Sequence, residues 1–246
     1  MTKLVLIVSA WMLKTISVGE VWPTLLILIG SLLTKSSLTL LKIMPSKAIT
    51  ILYNDYDMKK GLLIVYSGPS GVGKSTVREI FSKDESLKLT YSISMTTRAP
   101  REGEKEGVDY FFVSKERFLQ AIENGELLEH ACFVDNYYGS PRAYIEKLRN
   151  QGKNVILEIE IDGAKQVMEK VPECVSIYVL PPSMEELEKR IRGRNTEKEE
   201  VILSRLNKAK EEIKLAGIYK YNVVNNDIEK TALEITNIIK KEMEAQ

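Results

Sequence analysis

The sequence predicts an α/β fold in which a parallel β-sheet has helices on both faces. Residues 62–66 (Leu-Leu-Ile-Val-Tyr) form a short, continuous apolar run, as expected for a parallel strand that is covered on both sides. A glycine-rich segment at residues 68–75 follows this strand directly and leads into a helix-like segment. Beyond it, strand-like and helix-like segments alternate to the C-terminus, a pattern typical of parallel sheets with crossover helices.

The first two predicted helices have clear start and stop signals. One helix begins within residues 73–76, directly after the glycine-rich segment. Ser114 is suited to cap the next helix, which runs to Asn124 and has Gly125 just past its end. Both helices therefore have predicted positions along the chain.

The later helices also begin at capping signals. At Ser140-Pro141 we expect the serine as N-cap and the proline in the first helical position, and Gly152 stops this helix. Ser183-x-x-Glu186 and Thr196-x-x-Glu199 both have the capping-box pattern. The remaining predicted elements are strands at 155–159, 175–180 and 221–225, a closing helix at 229–243, and a helix with the inward-facing stripe Ile202, Leu206, Ala209 and Ile213.

Composition excludes several classes of function. The 246 residues include 35 Lys and Arg against 34 Asp and Glu, a balance that argues against a broad basic surface, so we expect no nucleic-acid partner. Cys132 and Cys174 lack the spacing of a metal or redox motif, and we expect reduced thiols and a cytoplasmic location. The single histidine, His130, excludes catalysis that needs several histidines.

Residues 1–57 differ in composition from the rest of the chain. Apolar runs at 4–13 and 21–33 dominate, but Pro23 interrupts the second, and neither reaches the ~18–20 residues needed to span a bilayer. Three interpretations stay open: a membrane or targeting element, a poorly ordered extension, or upstream sequence included through a mis-assigned start. We favour a true start at Met58, because Met-Lys-Lys is followed directly by a buried-strand pattern.

The glycine-rich segment satisfies the pattern G-x-x-x-x-G-K-[ST] of a phosphate-binding loop. Its glycines let the backbone wrap closely around phosphate groups, Lys74 reaches the β- and γ-phosphates, and the Ser75 hydroxyl is a ligand for Mg²⁺, together with waters. The following helix adds its positive N-terminal end. The segment thus predicts a nucleoside triphosphate site formed by Gly68, Pro69, Ser70, Gly71, Val72, Gly73, Lys74, Ser75 and Thr76.

Three further stretches, in the right order, resemble guanylate kinases over residues 60–243. The first is Ser-Ile-Ser-Met-Thr-Thr-Arg-Ala-Pro-Arg at 92–101 with Gly-Val-Asp-Tyr-Phe-Phe at 107–112. The second is Glu-His-Ala at 129–131 with Asn-Tyr-Tyr-Gly-Ser at 136–140. The third is Arg-Ile-Arg-Gly-Arg at 190–194, followed by Glu-Glu-Val-Ile at 199–202 and then Arg205. Together they are far more specific than the loop alone.

The resemblance implies a P-loop NTPase-type parallel sheet flanked by helices, with two additions. These are an inserted, small, β-rich GMP-binding subdomain and a helical lid. We therefore expect a guanylate kinase domain at 58–246, with its core at 58–92, 146–182 and 206–246, the GMP subdomain at 93–145 and the lid at 183–205.

The implied reaction converts ATP and GMP (or dGMP) into ADP and GDP (or dGDP), in purine nucleotide metabolism and GMP recycling. ATP would be the phosphoryl donor and Mg²⁺ the cofactor. The implied partners are these small-molecule substrates, and the protein would be a monomer or homodimer. Membrane contact through residues 1–57 is not favoured.

The resemblance also implies a GMP site. Arg98 and Arg101, with two tyrosines, would hold the GMP phosphate, while Glu129 would accept hydrogen bonds from guanine N1–H and the 2-amino group. Adenine would leave that buried carboxylate without donors, a situation that can give discrimination of roughly 10⁴–10⁵. The implied GMP-binding residues are Ser94, Arg98, Arg101, Tyr110, Glu129, Tyr138, Ser140, Glu158 and Glu160.

Four cations are implied as catalytic. Lys74 and Arg98 would lie on the phosphates from the loop and the GMP subdomain, and Arg194 and Arg205 would come from the lid. Asn225 is assigned to the adenine end of ATP.

The chain departs from the family pattern after the strand predicted at 155–159. Relatives often have an acidic residue, an aspartate two positions later, and then Gln-Gly. Here Glu158 is followed by Glu160 and by Asp162-Gly163. Because neither change removes an acceptor, we expect altered affinity with activity retained.

Two rival functions are weighed against this interpretation. A monophosphate kinase for another base would need a different pocket, because Glu129 with Ser94 and Ser140 suits guanine and not a pyrimidine. A non-catalytic, guanylate-kinase-like binding module is disfavoured because such modules generally have degraded phosphate loops, whereas residues 68–75 are intact.

Overall fold

A five-stranded parallel sheet forms the centre of the fold. The computed structural model describes residues 59–193 and 198–246. In their order across the sheet, the strands are β2 (Leu89–Tyr91), β7 (Asn154–Glu158), β1 (Leu63–Ser67), β8 (Val175–Leu180) and β9 (Tyr221–Val224). All the neighbouring pairs in this sheet run parallel, which confirms the predicted parallel sheet.

Seven α-helices occur in the described ranges. They are α1 (Lys74–Phe81), α2 (Lys115–Glu123), α3 (Arg142–Asn150), α4 (Ile161–Lys170), α5 (Met184–Arg192), α6 (Glu199–Lys214) and α7 (Ile228–Ala245), with short 3₁₀ turns at Glu85–Leu87 and Ala216–Ile218. None of these helices is long and apolar enough to cross a bilayer.

Alternation along β1 shows how the sheet is covered. Ile64 and Tyr66 belong to one buried cluster, with side chains of α1, α5, α6 and α7. Leu63 and Val65 belong to a second cluster on the other side, with side chains of α3 and α4. Because successive strand residues point to opposite faces, the two clusters show helices on both faces of the sheet, as predicted.

A second, four-stranded sheet is inserted between β2 and α3, in the order β4-β3-β6-β5. Its strands are β3 (Ser94–Thr96), β4 (Tyr110–Phe112), β5 (Leu127–Phe133) and β6 (Asn136–Pro141). It has its own small core, in which Phe118 and Ala121 of α2 pack with Met95 and Leu127. This β-rich insertion is the one the predicted fold contains, but α3 crosses the boundary expected after residue 145, so the bounds of the subdomain stay a prediction.

Ser140 differs from its predicted role as a helix cap. Strand β6 continues through Pro141, and α3 begins at Arg142 without a side-chain cap. The Ser140 hydroxyl instead donates to Glu129 at 2.6 Å, so it is already engaged in the interior of the subdomain. The predicted caps Ser114 and Ser183 are confirmed, since each accepts a hydrogen bond from the backbone N–H three residues later.

Several predictions fall outside the described residues or meet a different boundary. The interpretations of residues 1–57, the catalytic role of Arg194 and the cap at Thr196 lie outside the described residues. Helix α6 runs without a break from Glu199 to Lys214, so the boundary expected after residue 205 falls inside one helix. Of the predicted inward-facing stripe, Ile202, Leu206 and Ala209 are buried and Ile213 is half-buried, so one apolar face runs along the helix past residue 205.

Candidate active site

The glycine-rich loop connects β1 to α1 at the edge of the sheet where the parallel strands end. Gly73 has φ 95°, and a Cβ there would lie 2.7 Å from the side-chain nitrogen of Asn225. A Cβ on Gly68 would lie 2.6 Å from the backbone oxygen of Val179. Only glycine fits these two positions, so the loop has the backbone shape of a phosphate cradle between a strand and a helix.

Lys74 is held at the loop by hydrogen bonds to its backbone. The Lys74 ammonium donates to the carbonyl of Gly68 and, at 3.1 Å, to that of Pro69. Burial lowers the pKa of Lys74, while Glu158, Glu212 and Glu160 act in the opposite direction. Ser75 and Thr76 are exposed on the first turn of α1, where the helix N-terminus is positive.

A cleft of about 270 Å³ beside the loop brings together residues predicted to bind ATP and residues predicted to bind GMP. Its lining includes Lys74 and Ser70 from the loop, Glu158 and Glu160 after β7, and Arg205 from α6. The Arg205 guanidinium donates to the Ser70 hydroxyl, which joins α6 to the loop. The structure thus places two of the four predicted catalytic cations, Lys74 and Arg205, in one cleft.

The carboxylates of this cleft have cationic partners that the sequence analysis did not assign. Arg78 donates to Glu158 at 2.5 Å, and Lys208 donates to Glu160 at 2.8 Å. Arg78 follows Lys74 by one helical turn, so helical spacing is a signal that points it toward the same site. Glu160, predicted to bind GMP, is held by an exposed ion pair in which its side chain is 74% exposed.

A cationic cluster lies in the inserted subdomain. Arg98 donates to Glu104 at 2.9 Å, and its guanidinium lies 5.4 Å from the ring centre of Tyr110. The rings of Tyr110 and Tyr138 are 6.1 Å apart, so three of the four predicted phosphate ligands are neighbours. Arg101 is exposed, and its backbone N–H donates to the same glutamate at 2.8 Å.

Glu104 was not predicted as part of this cluster. Its hydrogen bond from Arg98 lowers the pKa of the Glu104 carboxyl, which therefore stays ionised beside the guanidinium. Its position three residues after Arg101 is a signal that could have indicated the pairing. Arg98 is not among the residues that line the cleft around Lys74.

Glu129 is a buried carboxylate in the inserted subdomain. Glu129 is only 6% exposed, and one of its carboxylate oxygens accepts the hydrogen bond from Ser140. Burial raises the pKa of Glu129, and the Ser140 hydrogen bond and the charge of Lys170 oppose this shift. Ser94, which is assigned to the base together with Glu129 and Ser140, is half-buried on β3. Glu129 is therefore a buried acceptor that can take hydrogen bonds from donor groups of a ligand.

The raised pKa of Glu129 predicts how stability depends on pH. In the unfolded chain the carboxyl ionises near its ordinary pKa of 4.5, whereas the folded protein retains the proton to higher pH. The free energy of unfolding therefore loses a contribution as pH rises from about 4.5 through the folded pKa. Glu129→Gln lacks this loss, so its stability relative to the wild type should grow with pH across that window.

Urea unfolding at a series of pH values measures this difference. Glu169→Gln, which changes an exposed carboxyl on α4, is the control and should show no such trend. A difference between Glu129→Gln and the wild type that does not change with pH would contradict the prediction.

Asn225 lies on the other side of the phosphate loop. Its side-chain amide donates to the carbonyl of Val72 at 2.8 Å, and its side-chain oxygen accepts from Thr231 at 3.2 Å. Arg190, to which the sequence analysis gave no separate role, donates to Val72 at 3.1 Å and to the Asn225 carbonyl at 3.0 Å. Both residues support the loop, and with Thr76 they line a groove beside it. The contact of Asn225 with adenine stays a prediction.

The donor set near the loop fits a metal ion that is held mainly by a nucleotide. Among residues 59–193 and 198–246, no group of three or more His, Cys, Asp or Glu side chains could hold an ion. Mg²⁺ commonly keeps several waters and uses one or two protein ligands plus substrate phosphates. The exposed Ser75 hydroxyl is suited to that limited role.

Comparisons with known proteins cover the same part of the chain. The family model for guanylate kinase matches residues 60–242. A guanylate kinase of Mesoplasma florum is 54% identical over 74% of this chain and 62% of its own length, and one of Streptococcus thermophilus is 52% identical over 75% and 88%. This chain therefore spans less than two thirds of the Mesoplasma protein.

A solved structure shows the same likeness. The crystal structure of guanylate kinase from Anaplasma phagocytophilum is 41% identical, with a TM-score of 0.57, and covers 75% of this chain and 87% of its own. Residues 60–242, which the family model matches, include the phosphate loop and the inserted subdomain.

Proposed function

The chain belongs to the guanylate kinase family, and from this premise we propose that it transfers the γ-phosphoryl group of ATP to GMP, giving ADP and GDP. The buried Glu129 carboxylate beside Ser140 is the observation that carries the choice of base. Guanine presents N1–H and a 2-amino group as donors, whereas adenine presents an unprotonated N1 and no 2-amino group. A buried acceptor left without donors makes adenine unfavourable.

Phosphoryl transfer needs little covalent help from the protein, so positioning and charge stabilisation supply most of the catalysis. The phosphate loop and Lys74 hold the ATP phosphates, and Arg205 adds positive charge in the same cleft. Arg98, Tyr110 and Tyr138 supply donors for the GMP phosphate. No general base is required, because the GMP phosphate oxygen is already anionic at pH 7. dGMP has the same base and phosphate as GMP, so the contacts described for these two groups also suit dGMP.

Mg²⁺ is part of this proposal. The Ser75 hydroxyl at the start of α1 would hold the ion, together with waters and phosphate oxygens. When bound, the ion neutralises charge on the β- and γ-phosphates. The cytoplasmic location, the monomeric or homodimeric state and the role of residues 1–57 stay predictions.

A panel of nucleoside monophosphates tests the proposal. The full chain is incubated with Mg·ATP and each of GMP, dGMP, AMP, UMP and TMP, and ADP formation is followed by a coupled assay. We expect turnover with GMP and dGMP, and a kcat/KM at least about 10²-fold lower with the other three. Preference for AMP or a pyrimidine would support a kinase for another base, and folded protein without turnover would support a binding module.

A further inference from the structure

Glu129 lies at an irregular point on the edge of the inserted sheet. Strand β5 is an edge strand in the order β4-β3-β6-β5, and its pairing with β6 shifts register between Leu127 and His130. Such a shift, or bulge, re-aims side chains and interrupts the regular ladder. Backbone groups on the free side of this edge strand and at the shift are therefore open to partners from other elements.

Gln166 of α4 supplies that support at the residue after Glu129. Its side-chain oxygen accepts from the backbone N–H of His130 at 3.1 Å, and its side-chain nitrogen donates to the His130 carbonyl at 3.0 Å. One amide thus pairs with both backbone groups of the same residue, as a neighbouring strand would. This fixes the backbone direction directly after Glu129.

Lys170 binds the same strand on the other side of Glu129. Its ammonium donates to the carbonyl of Leu127 at 3.1 Å. Leu127 and His130 are the two residues between which the register shifts, so α4 holds both ends of the irregular segment.

Gly163 provides space for the carboxylate itself. It is buried in the first turn of α4, and a Cβ there would lie 2.8 Å from the Oε2 atom of Glu129 and 3.4 Å from its carboxyl carbon. Any larger residue would displace the carboxylate. Because Gly163, Gln166 and Lys170 are spaced by three and four residues, they lie on one face of α4.

We propose that this face of α4, formed by Gly163, Gln166 and Lys170, positions Glu129 and thereby sets the selectivity for guanine. The inference rests on the proposed function, in which Glu129 contacts the base. Gln166 and Gly163 are positioning residues that act through Glu129 and need not touch the substrate. Through these residues, α4 of the core supports base recognition in the inserted subdomain.

The readout is the ratio of kcat/KM for GMP to that for inosine monophosphate, measured with the full chain and saturating Mg·ATP. Inosine monophosphate retains N1–H and O6 but lacks the 2-amino group, so the ratio reports the contact between that group and the carboxylate. A hydrogen bond to a charged group corresponds to about 10–100-fold in this ratio. A loss of stability alone would lower both activities together and leave the ratio unchanged.

Two variants displace the carboxylate in different ways. Gln166→Leu removes both hydrogen bonds to His130, and we expect the ratio to fall by about tenfold. Gly163→Ala crowds the carboxylate directly, and alanine favours a helix more than glycine does, so the fold of α4 is not weakened. The KM for ATP should stay unchanged in both. Glu169→Ala, at an exposed position of the same helix, is the matched control.

A lower ratio in both variants, with the control unchanged, would support the inference. An unchanged ratio in folded Gln166→Leu would overturn it; if that variant does not fold, an unchanged ratio in Gly163→Ala does so. Wild-type protein that fails to phosphorylate GMP would instead overturn the proposed function, so the two failures are distinguishable.

Discussion

Replacement of Lys74 by alanine is expected to lower kcat for GMP phosphorylation by at least about 10²–10³-fold. Lys74 is the first residue of α1, and its side chain reaches the backbone of the phosphate loop, at the cleft that Arg205 also lines. Its ammonium can stabilise charge that develops on the transferred phosphoryl group, and alanine offers no donor there. Steady-state kinetics with GMP and Mg·ATP measure the effect.

The fold should survive this substitution. The Lys74 ammonium donates to the carbonyls of Gly68 and Pro69, within the loop itself, and Lys74 is not among the buried residues that form the two clusters of the central sheet. Lys83→Ala, at an exposed lysine just after α1, is the control and should retain full activity. A kcat for Lys74→Ala within a few-fold of the wild type would contradict the role given to the ammonium.

Replacement of Glu129 by glutamine should raise the KM for GMP and relax the choice of base, with kcat/KM for GMP falling about 10²-fold or more. The amide keeps one acceptor but places donors where guanine also presents donors. The hydrogen bond from Ser140 can still form, so the subdomain keeps its structure. Kinetics with GMP, inosine monophosphate and AMP measure both effects.

Glu123→Gln is the matched control, because it neutralises an exposed carboxyl on α2 of the same subdomain. It should leave the three KM values unchanged. Unchanged GMP kinetics in Glu129→Gln would contradict the role of Glu129 in recognising guanine.

The central sheet could be predicted from the sequence because its signals are local. The apolar run at 62–66 and the glycine pattern at 68–75 each determine a short segment whose structure depends mainly on its own residues. The caps at Ser114 and Ser183 act over three residues, and both are confirmed. Asp227 caps α7 by accepting from the N–H of Lys230, and this local signal starts the helix at Ile228, one residue before the predicted start.

The supporting contacts of the site could not be predicted in the same way. Arg78 and Glu158 are 80 residues apart, and Lys208 and Glu160 are 48 apart, so nothing in the local sequence joins them. Ser140 shows how a long-range partner overrides a local signal: Ser-Pro predicts a helix start, but the buried Glu129 carboxylate takes the hydroxyl. Residues 161–170, which form α4, are not among the predicted helices, and the partner of Gln166 is a strand backbone that only the tertiary structure brings near.

The most direct test of the account is transfer of labelled phosphate from ATP carrying radioactive γ-phosphate to GMP by the purified, folded chain with Mg²⁺. We expect labelled GDP and unlabelled ADP in equal amounts, with formation of both dependent on GMP. Labelled inorganic phosphate without labelled GDP, or no release of label from ATP, would contradict the claim that the phosphate loop and Glu129 serve one phosphoryl transfer.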